Sequence, residues 1–122
     1  MRTILVAEDQ QELRDLIALS LQLSGYQVLA AQDGELAYRW AKDLQPDLIL
    51  LDLEMPQLRG SQVCEKLKAM DSFSETPILI MSSHSDPIEI EKSIEAGAEA
   101  FLHKPFELND LISKVDALLT QD

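Results

Sequence analysis

The sequence has one cysteine, Cys64, and a lone thiol cannot close a disulfide within the chain. Cys64 falls in a helical apolar pattern with Val63 and Leu67, which reads as a buried, inert thiol. Aromatic residues are scarce, at 5% against 46% hydrophobic overall, so the core must be built from Leu, Ile, Val and Ala. Basic residues are few as well. Ten Lys and Arg face twenty-two Asp and Glu, for a net charge of −12. So acidic a chain repels nucleic acid and anionic membrane surfaces, and direct nucleic-acid binding is not expected. No apolar run approaches the ~20 residues that a membrane-spanning helix needs. The apolar stretch near the N-terminus runs straight into Glu8 and Asp9 without a cleavage pattern, unlike a signal peptide. The expectation is a cytoplasmic protein. Repeats, low-complexity tracts and linkers are absent, so residues 1–122 read as one domain.

What is present is alternation. Residues 3–7, 28–31, 48–51, 78–81 and 100–102 are short runs of Ile, Leu, Val and Ala. Runs of this length and composition suit strands buried on both faces of a parallel sheet. Between them lie segments with helical period. Leu13, Leu16, Ile17 and Leu21 form one apolar stripe, and Leu36, Trp40, Ala41 and Leu44 a second. Val63, Cys64 and Leu67 form a third, and Ile90, Ile94 and Ala98 a fourth. The last runs through Leu108, Leu111, Ile112, Val115, Leu118 and Leu119. Asp33-Gly34 and Asp86-Pro87-Ile88-Glu89 look like helix starts, while Gly25 and Gly97 look like helix ends. A βα order repeated five times, with right-handed crossovers, predicts an α/β fold. It is a doubly wound, five-stranded parallel sheet, (βα)5, with flavodoxin-like strand order 2-1-3-4-5.

In such a sheet, chemistry sits at the carboxyl ends of the strands. The first strand delivers Glu8 and Asp9 there, the third Asp52, the fourth Ser82 and Ser83, the fifth Lys104. Three crowded carboxylates raise one another's pKa unless a cation neutralises them. Hard oxygen ligands of this kind suit Mg²⁺. A lysine and a hydroxyl beside them can receive phosphoryl oxygens. The set reads as a phosphoryl-transfer site with a carboxylate nucleophile. Asp9 also has a plain structural reading, because Asp9-Gln10-Gln11-Glu12 has the form of a capping box.

At this point the chain resembles the receiver domains of two-component response regulators, over essentially its whole length. The matching pieces are Glu8-Asp9, Asp52-Leu53-Glu54-Met55-Pro56 followed by Gly60, Pro77 through Ser82, Gly97-Ala98 and Lys104-Pro105-Phe106. The resemblance implies that Asp52 is phosphorylated and that Asp9 holds Mg²⁺ with help from Glu8. It implies that the backbone carbonyl of Glu54 completes the metal shell and that Lys104 pairs with the phosphoryl group. Ser82 would bond a phosphoryl oxygen and move on activation, and Phe101 would turn inward with it. The Lys104–Pro105 bond would be cis. The donor would be a histidine kinase or phosphotransfer protein, and a downstream protein target would read the surface of the last two helices. The domain would act as a signalling switch rather than an enzyme. Lys114 is the only base in the last helix, so a monomer, or a weak dimer strengthened by phosphorylation, is expected. Ser82, Ser83 and Phe101 stand where the family mostly has threonine, alanine and tyrosine. His84 and Glu54 would overhang the phosphoryl site.

Three rival readings meet obstacles in the residues themselves. A flavodoxin-type electron carrier needs a Ser/Thr/Gly phosphate loop after the first strand, where this chain has Glu8-Asp9-Gln10-Gln11-Glu12. An aspartate-nucleophile phosphohydrolase would share the Asp52-Leu53-Glu54 spacing, but Met55-Pro56 follows and there is no room for a substrate cap. A receiver fold that no longer phosphorylates would have no need of the full set of acids, hydroxyl and lysine.

Overall fold

The short apolar runs form strands because β-branched and large aliphatic side chains fit a pleated surface covered on both faces. A computed structural model describes residues 1–83 and 87–120. In chain order they form β1 (Thr3–Ala7), α1 (Gln11–Leu23), β2 (Gln27–Ala31), α2 (Gly34–Leu44) and β3 (Leu48–Asp52). There follow α3 (Gly60–Lys68), a 3₁₀ turn (Asp71–Phe73), β4 (Ile78–Ser82), α4 (Pro87–Ala96), β5 (Ala100–His103) and α5 (Leu108–Leu119). The strands are all parallel, in the order β2-β1-β3-β4-β5, as expected for the flavodoxin-like winding.

Alternation along each strand divides the core into two layers. Leu5, Ala7, Ile49 and Leu51 face one side, where Ala37, Ala41, Val63, Cys64 and Leu67 of α2 and α3 cover them. Ile4, Val6, Leu48 and Leu50 face the other, under Ile17, Leu21, Leu111, Val115 and Leu119 of α1 and α5. Each Leu or Ile buried this way stabilises the fold by about 1.5–3 kcal/mol. The expectation of strands buried on both faces holds for β1, β3 and β4. It fails for β2 and β5, which lie at the sheet edges and stay partly open.

The helix stripes need correction. Ile17 and Leu21 are buried, but Leu16 is exposed. Leu44 and Ile94 are exposed too, while Ala37 and Ser93 are buried in their helices. A helix laid close on a sheet seats small residues in its contact line, and larger ones flank it or face out. Asp33 caps α2 by accepting from Leu36 N at 2.8 Å. Gly25 and Gly97 follow α1 and α4 with φ of +100° and +121°, as helix-ending glycines do. The cap expected of Asp86 and the overhang expected of His84 lie outside the described residues. Among the described residues, no helix is long and apolar enough to cross a membrane.

Candidate functional site

Strand register decides which side chains meet. Ala7 pairs with Leu51 and Asp52 with Met81, so Glu8 and Asp9, just past β1, stand beside the end of β3. Ser82 ends β4 opposite His103, and Lys104 N donates to Ser82 O at 2.7 Å. That bond fixes the turn after β5, and the Lys104–Pro105 peptide within it is cis, as expected. The parallel sheet thus gathers Glu8, Asp9, Asp52, Ser82 and Lys104 at one edge, from four strands distant in sequence.

The carboxylates of Glu8, Asp9 and Asp52 each offer an oxygen within 4.8 Å of the other two. Glu8 and Asp52 are buried and Asp9 is exposed, so the cluster opens to solvent on the Asp9 side. Lys104 Nζ lies 2.9 Å from Glu8 Oε1, with a hydrogen bond, and 3.2 Å from Asp52 Oδ2. Glu8 Oε2 accepts from Gln10 N at 3.1 Å, and Asp52 Oδ1 from Glu54 N at 3.0 Å. Asp52 Oδ2 is different. It is the one fully buried side-chain N or O atom among the described residues with no hydrogen bond. Lys104 Nζ, 3.2 Å away, is close enough to attract it.

Burial pushes the Glu8 carboxyl up to about 7; the hydrogen bond from Lys104 pulls it down without overcoming burial, and the charge of Asp52 pushes it up further. Burial lowers the Lys104 ammonium, but the hydrogen bond to Glu8, the charges of Asp52 and Glu8 and the close polar contact with Asp52 together leave it above its ordinary value. One lysine therefore serves two buried acids and cannot fully compensate both. Oxygen donors at this spacing, in excess of local positive charge, fit a hard divalent cation.

The supporting residues were not all legible in sequence. Asp9 is not a helix cap. The N-cap of α1 is Gln10, without a side-chain cap bond, so the structural reading of Asp9 falls away. Arg14 reaches back from α1 and donates through Nη1 to Glu8 O at 3.0 Å and Asp9 O at 3.4 Å. Glu54, expected to offer its backbone carbonyl, uses its carboxylate to accept from Ser83 N and Ser83 Oγ, at 2.8 to 2.9 Å. The loops after β3 and β4 are thereby tied together beside Asp52. Gly60 packs behind the site: a Cβ there would stand 2.3 Å from Asp52 O. Phe101 is half-buried on β5, paired with Ile80, and His103 is exposed. A concavity of about 390 Å³ borders the site at Asp9, Arg14 and Pro56. A cavity of about 780 Å³ lies at the opposite end of the sheet, by Arg2, Asp47 and Pro77, and holds none of these groups.

A parallel five-stranded sheet with acids, a hydroxyl and a lysine at its carboxyl edge defines a class, and comparison with known proteins agrees. The sequence matches the response regulator receiver domain over residues 4–116, and the chain belongs to that family. Among curated relatives, it is 39% identical to the transcriptional regulatory protein PrrA of Mycobacterium tuberculosis, over 95% of this chain and 49% of that protein. It is 34% identical to the DNA-binding dual master transcriptional regulator RpaA of Synechocystis, over 98% of this chain and 49% of RpaA. The chain spans about half the length of these relatives. Among solved structures, the chemotaxis protein CheY4 of Vibrio cholerae superposes with a TM-score of 0.90 at 28% identity, covering 98% of this chain and 99% of that one. The receiver domain of the sensor histidine kinase PA1611 of Pseudomonas aeruginosa, which has a magnesium ion coordinated in its active site cleft, gives 0.89 at 27% identity, with 98% of both chains covered.

Proposed function

We propose that this receiver domain, a single unit over residues 1–122, is a phosphorylation switch and that Asp52 is its acceptor. The observation that carries the reading is the state of Asp52 Oδ2. It is buried, lacks a hydrogen bond, lies 3.2 Å from Lys104 Nζ and borders two further carboxylates. An oxygen with lone pairs to spare, beside a cation, is suited to attack. Such an atom is costly to leave unsatisfied unless a bound group completes it.

Glu8, Asp9 and Asp52, with the backbone carbonyl of Glu54, would hold Mg²⁺, the ion seen in the PA1611 receiver domain. When bound, the ion neutralises the acids and the oxygens of the incoming phosphoryl group. The residues do the rest. An Asp52 carboxylate oxygen forms a bond to phosphorus as the bond from phosphorus to the donor nitrogen breaks, and the leaving imidazole keeps that electron pair. A small acyl phosphate donor would leave as its carboxylate instead. Lys104 shifts its bonds toward the new phosphoryl oxygens, and Ser82, at the end of β4, donates to another. Positioning and charge supply the rate, since a carboxylate is a modest nucleophile.

The acyl phosphate carries about −1.5 to −2 charge where the Asp52 carboxylate carried −1, so a place already acidic gains up to about one further negative charge and three new acceptor oxygens. Ser82 moves toward it, Phe101 turns inward, and the surface of α4, β5 and α5 changes. The donor is a histidine kinase or phosphotransfer protein, and the reader is a downstream protein. The domain acts in the cytoplasm, as a monomer or a weak dimer that phosphorylation strengthens. DNA binding, which the name of RpaA records for that longer protein, is not a task of this acidic domain.

Intact-mass spectrometry after treatment with acetyl phosphate and Mg²⁺ tests the reading. One phosphoryl group is expected, absent from Asp52→Asn and abolished by a chelator. Wild-type levels of label in Asp52→Asn would sink the assignment.

A further inference from the structure

The Glu8-Asp9-Gln10 turn carries two of the three carboxylates, and the helix it leads into starts without a side-chain cap. The side chain of Asp9 is exposed, and no hydrogen bond to it is found among the described residues. Three contacts hold the turn: Glu8 N donates to Ala31 O at 3.1 Å, Gln10 N donates to Glu8 Oε2 at 3.1 Å, and Arg14 grips the Glu8 and Asp9 carbonyls from the other side.

Arg14 is the fourth residue of α1 and half-buried. Helical side chains lean toward the N-terminus, which lets its guanidinium reach back to the turn. The location is electrostatically awkward, because a cation near a helix N-terminus opposes the macrodipole. The last turn of α1, where a cation would be favoured, has none. An arginine kept at the wrong end of a helix and aimed at two carbonyls is explained by those carbonyls.

We propose that Arg14 is a positioning residue of the metal site: it straps the β1–α1 turn so that the Asp9 and Glu8 carboxylates converge with Asp52. This rests on the metal-binding reading above. The rival explanation is that Arg14 merely offsets the charge of the acids. The two explanations predict opposite signs. Removing a positive charge beside three carboxylates should tighten Mg²⁺ binding, whereas loosening the turn should weaken it. Partners that orient metal ligands are typically worth about 10–100-fold in affinity. Because the exposed Asp9 can still adjust, the lower end, about 10-fold, is the expected loss.

The experiment is Mg²⁺ titration of wild type, Arg14→Gln and Arg14→Lys, followed by the amide shifts of Asp9, Gln10 and Asp52. A thermal melt of each variant confirms folding. Arg14→Gln should bind Mg²⁺ about 10-fold more weakly, and Arg14→Lys, which keeps the charge but not the fork, should fall between it and wild type. The Gln10 amide should exchange hydrogen faster in Arg14→Gln. Should Arg14→Gln fail to fold, Arg14→Lys decides: wild-type affinity there refutes the strap. Unchanged or tighter binding in a folded Arg14→Gln overturns the proposal while leaving the metal site standing. No response in wild type overturns both.

Discussion

Glu8 should make the metal-free protein less stable as pH rises through neutrality, against the usual behaviour of a paired carboxylate. Its carboxyl is lifted from 4.5 to about 7, chiefly by burial. Between those values the folded protein keeps a proton that the unfolded chain has released. Stability from this group is therefore complete below about pH 4.5 and declines until about pH 7. Above that, ionised Glu8 costs the fold roughly 3 kcal/mol, taking about 1.4 kcal/mol for each pH unit between the two values. Other acids also titrate, so the signal is the difference between wild type and Glu8→Gln, which is neutral at every pH.

Urea unfolding in the presence of chelator, followed by far-UV circular dichroism from pH 5 to 8, measures that difference. Wild type should lose roughly 2–3 kcal/mol relative to Glu8→Gln across this range, on the order of 10 °C in melting temperature. Saturating Mg²⁺ should recover stability more at pH 8 than at pH 5, because the ion binds the ionised carboxylates. Parallel curves for the two proteins, with or without the metal, would show that burial does not hold Glu8 protonated and that the reasoning is wrong.

The convergence of the candidate residues was more legible in the sequence than the helix faces were. Glu8, Asp9, Asp52, Ser82 and Lys104 were readable because each sits at the end of a short apolar run, and a parallel sheet leaves little choice about where such ends go. Helix faces were read less well. Leu16, Leu44 and Ile94 fit the helical period yet are exposed, whereas Ser93 is buried and bonds Glu89 O at 3.0 Å. Period marks a face but not its centre, and the centre depends on how closely each helix approaches the sheet. Hidden altogether were contacts between side chains and remote backbone. Lys68 Nζ joins Phe73 O, Thr76 O and the Glu99 carboxylate at 2.7 to 3.1 Å. Arg14 gripping the turn after β1 belongs with it. A lysine or arginine on a helix has the same composition signal whether it meets water or a carbonyl, so only the folded arrangement reveals the difference.

Three further predictions follow from packing. Cys64 is fully buried and its thiol is pushed up to about 11 by that burial, so thiol reagents at pH 8 should label it only after unfolding; rapid labelling of native protein would contradict the core assignment. Lys68→Met should cost about 2–3 kcal/mol in urea unfolding. It strands two carbonyls, though the partial exposure of Glu99 moderates the loss. Gly60→Ala bears on the site most directly. Its Cβ would lie 2.3 Å from Asp52 O, 2.8 Å from Leu53 Cα and 2.9 Å from Asp52 C, all backbone atoms that cannot swing aside. Overpacking of this kind costs about 1–3 kcal/mol, and a helix-propensity gain of at most about 1 kcal/mol offsets it only in part. Relief requires α3 to retreat from β3 or the end of β3 to shift, and the latter carries the Asp52 carboxylate away from Lys104. Gly60→Ala should therefore lower both the melting temperature and the rate of phosphoryl acceptance from acetyl phosphate. Gly25→Ala is the control. Its Cβ meets nothing within 4 Å, and its φ of +100° makes the substitution strained, so it should lower stability by about 1 kcal/mol and leave that rate unchanged. Equal effects of the two substitutions on the rate would mean that Gly60 is needed only for folding.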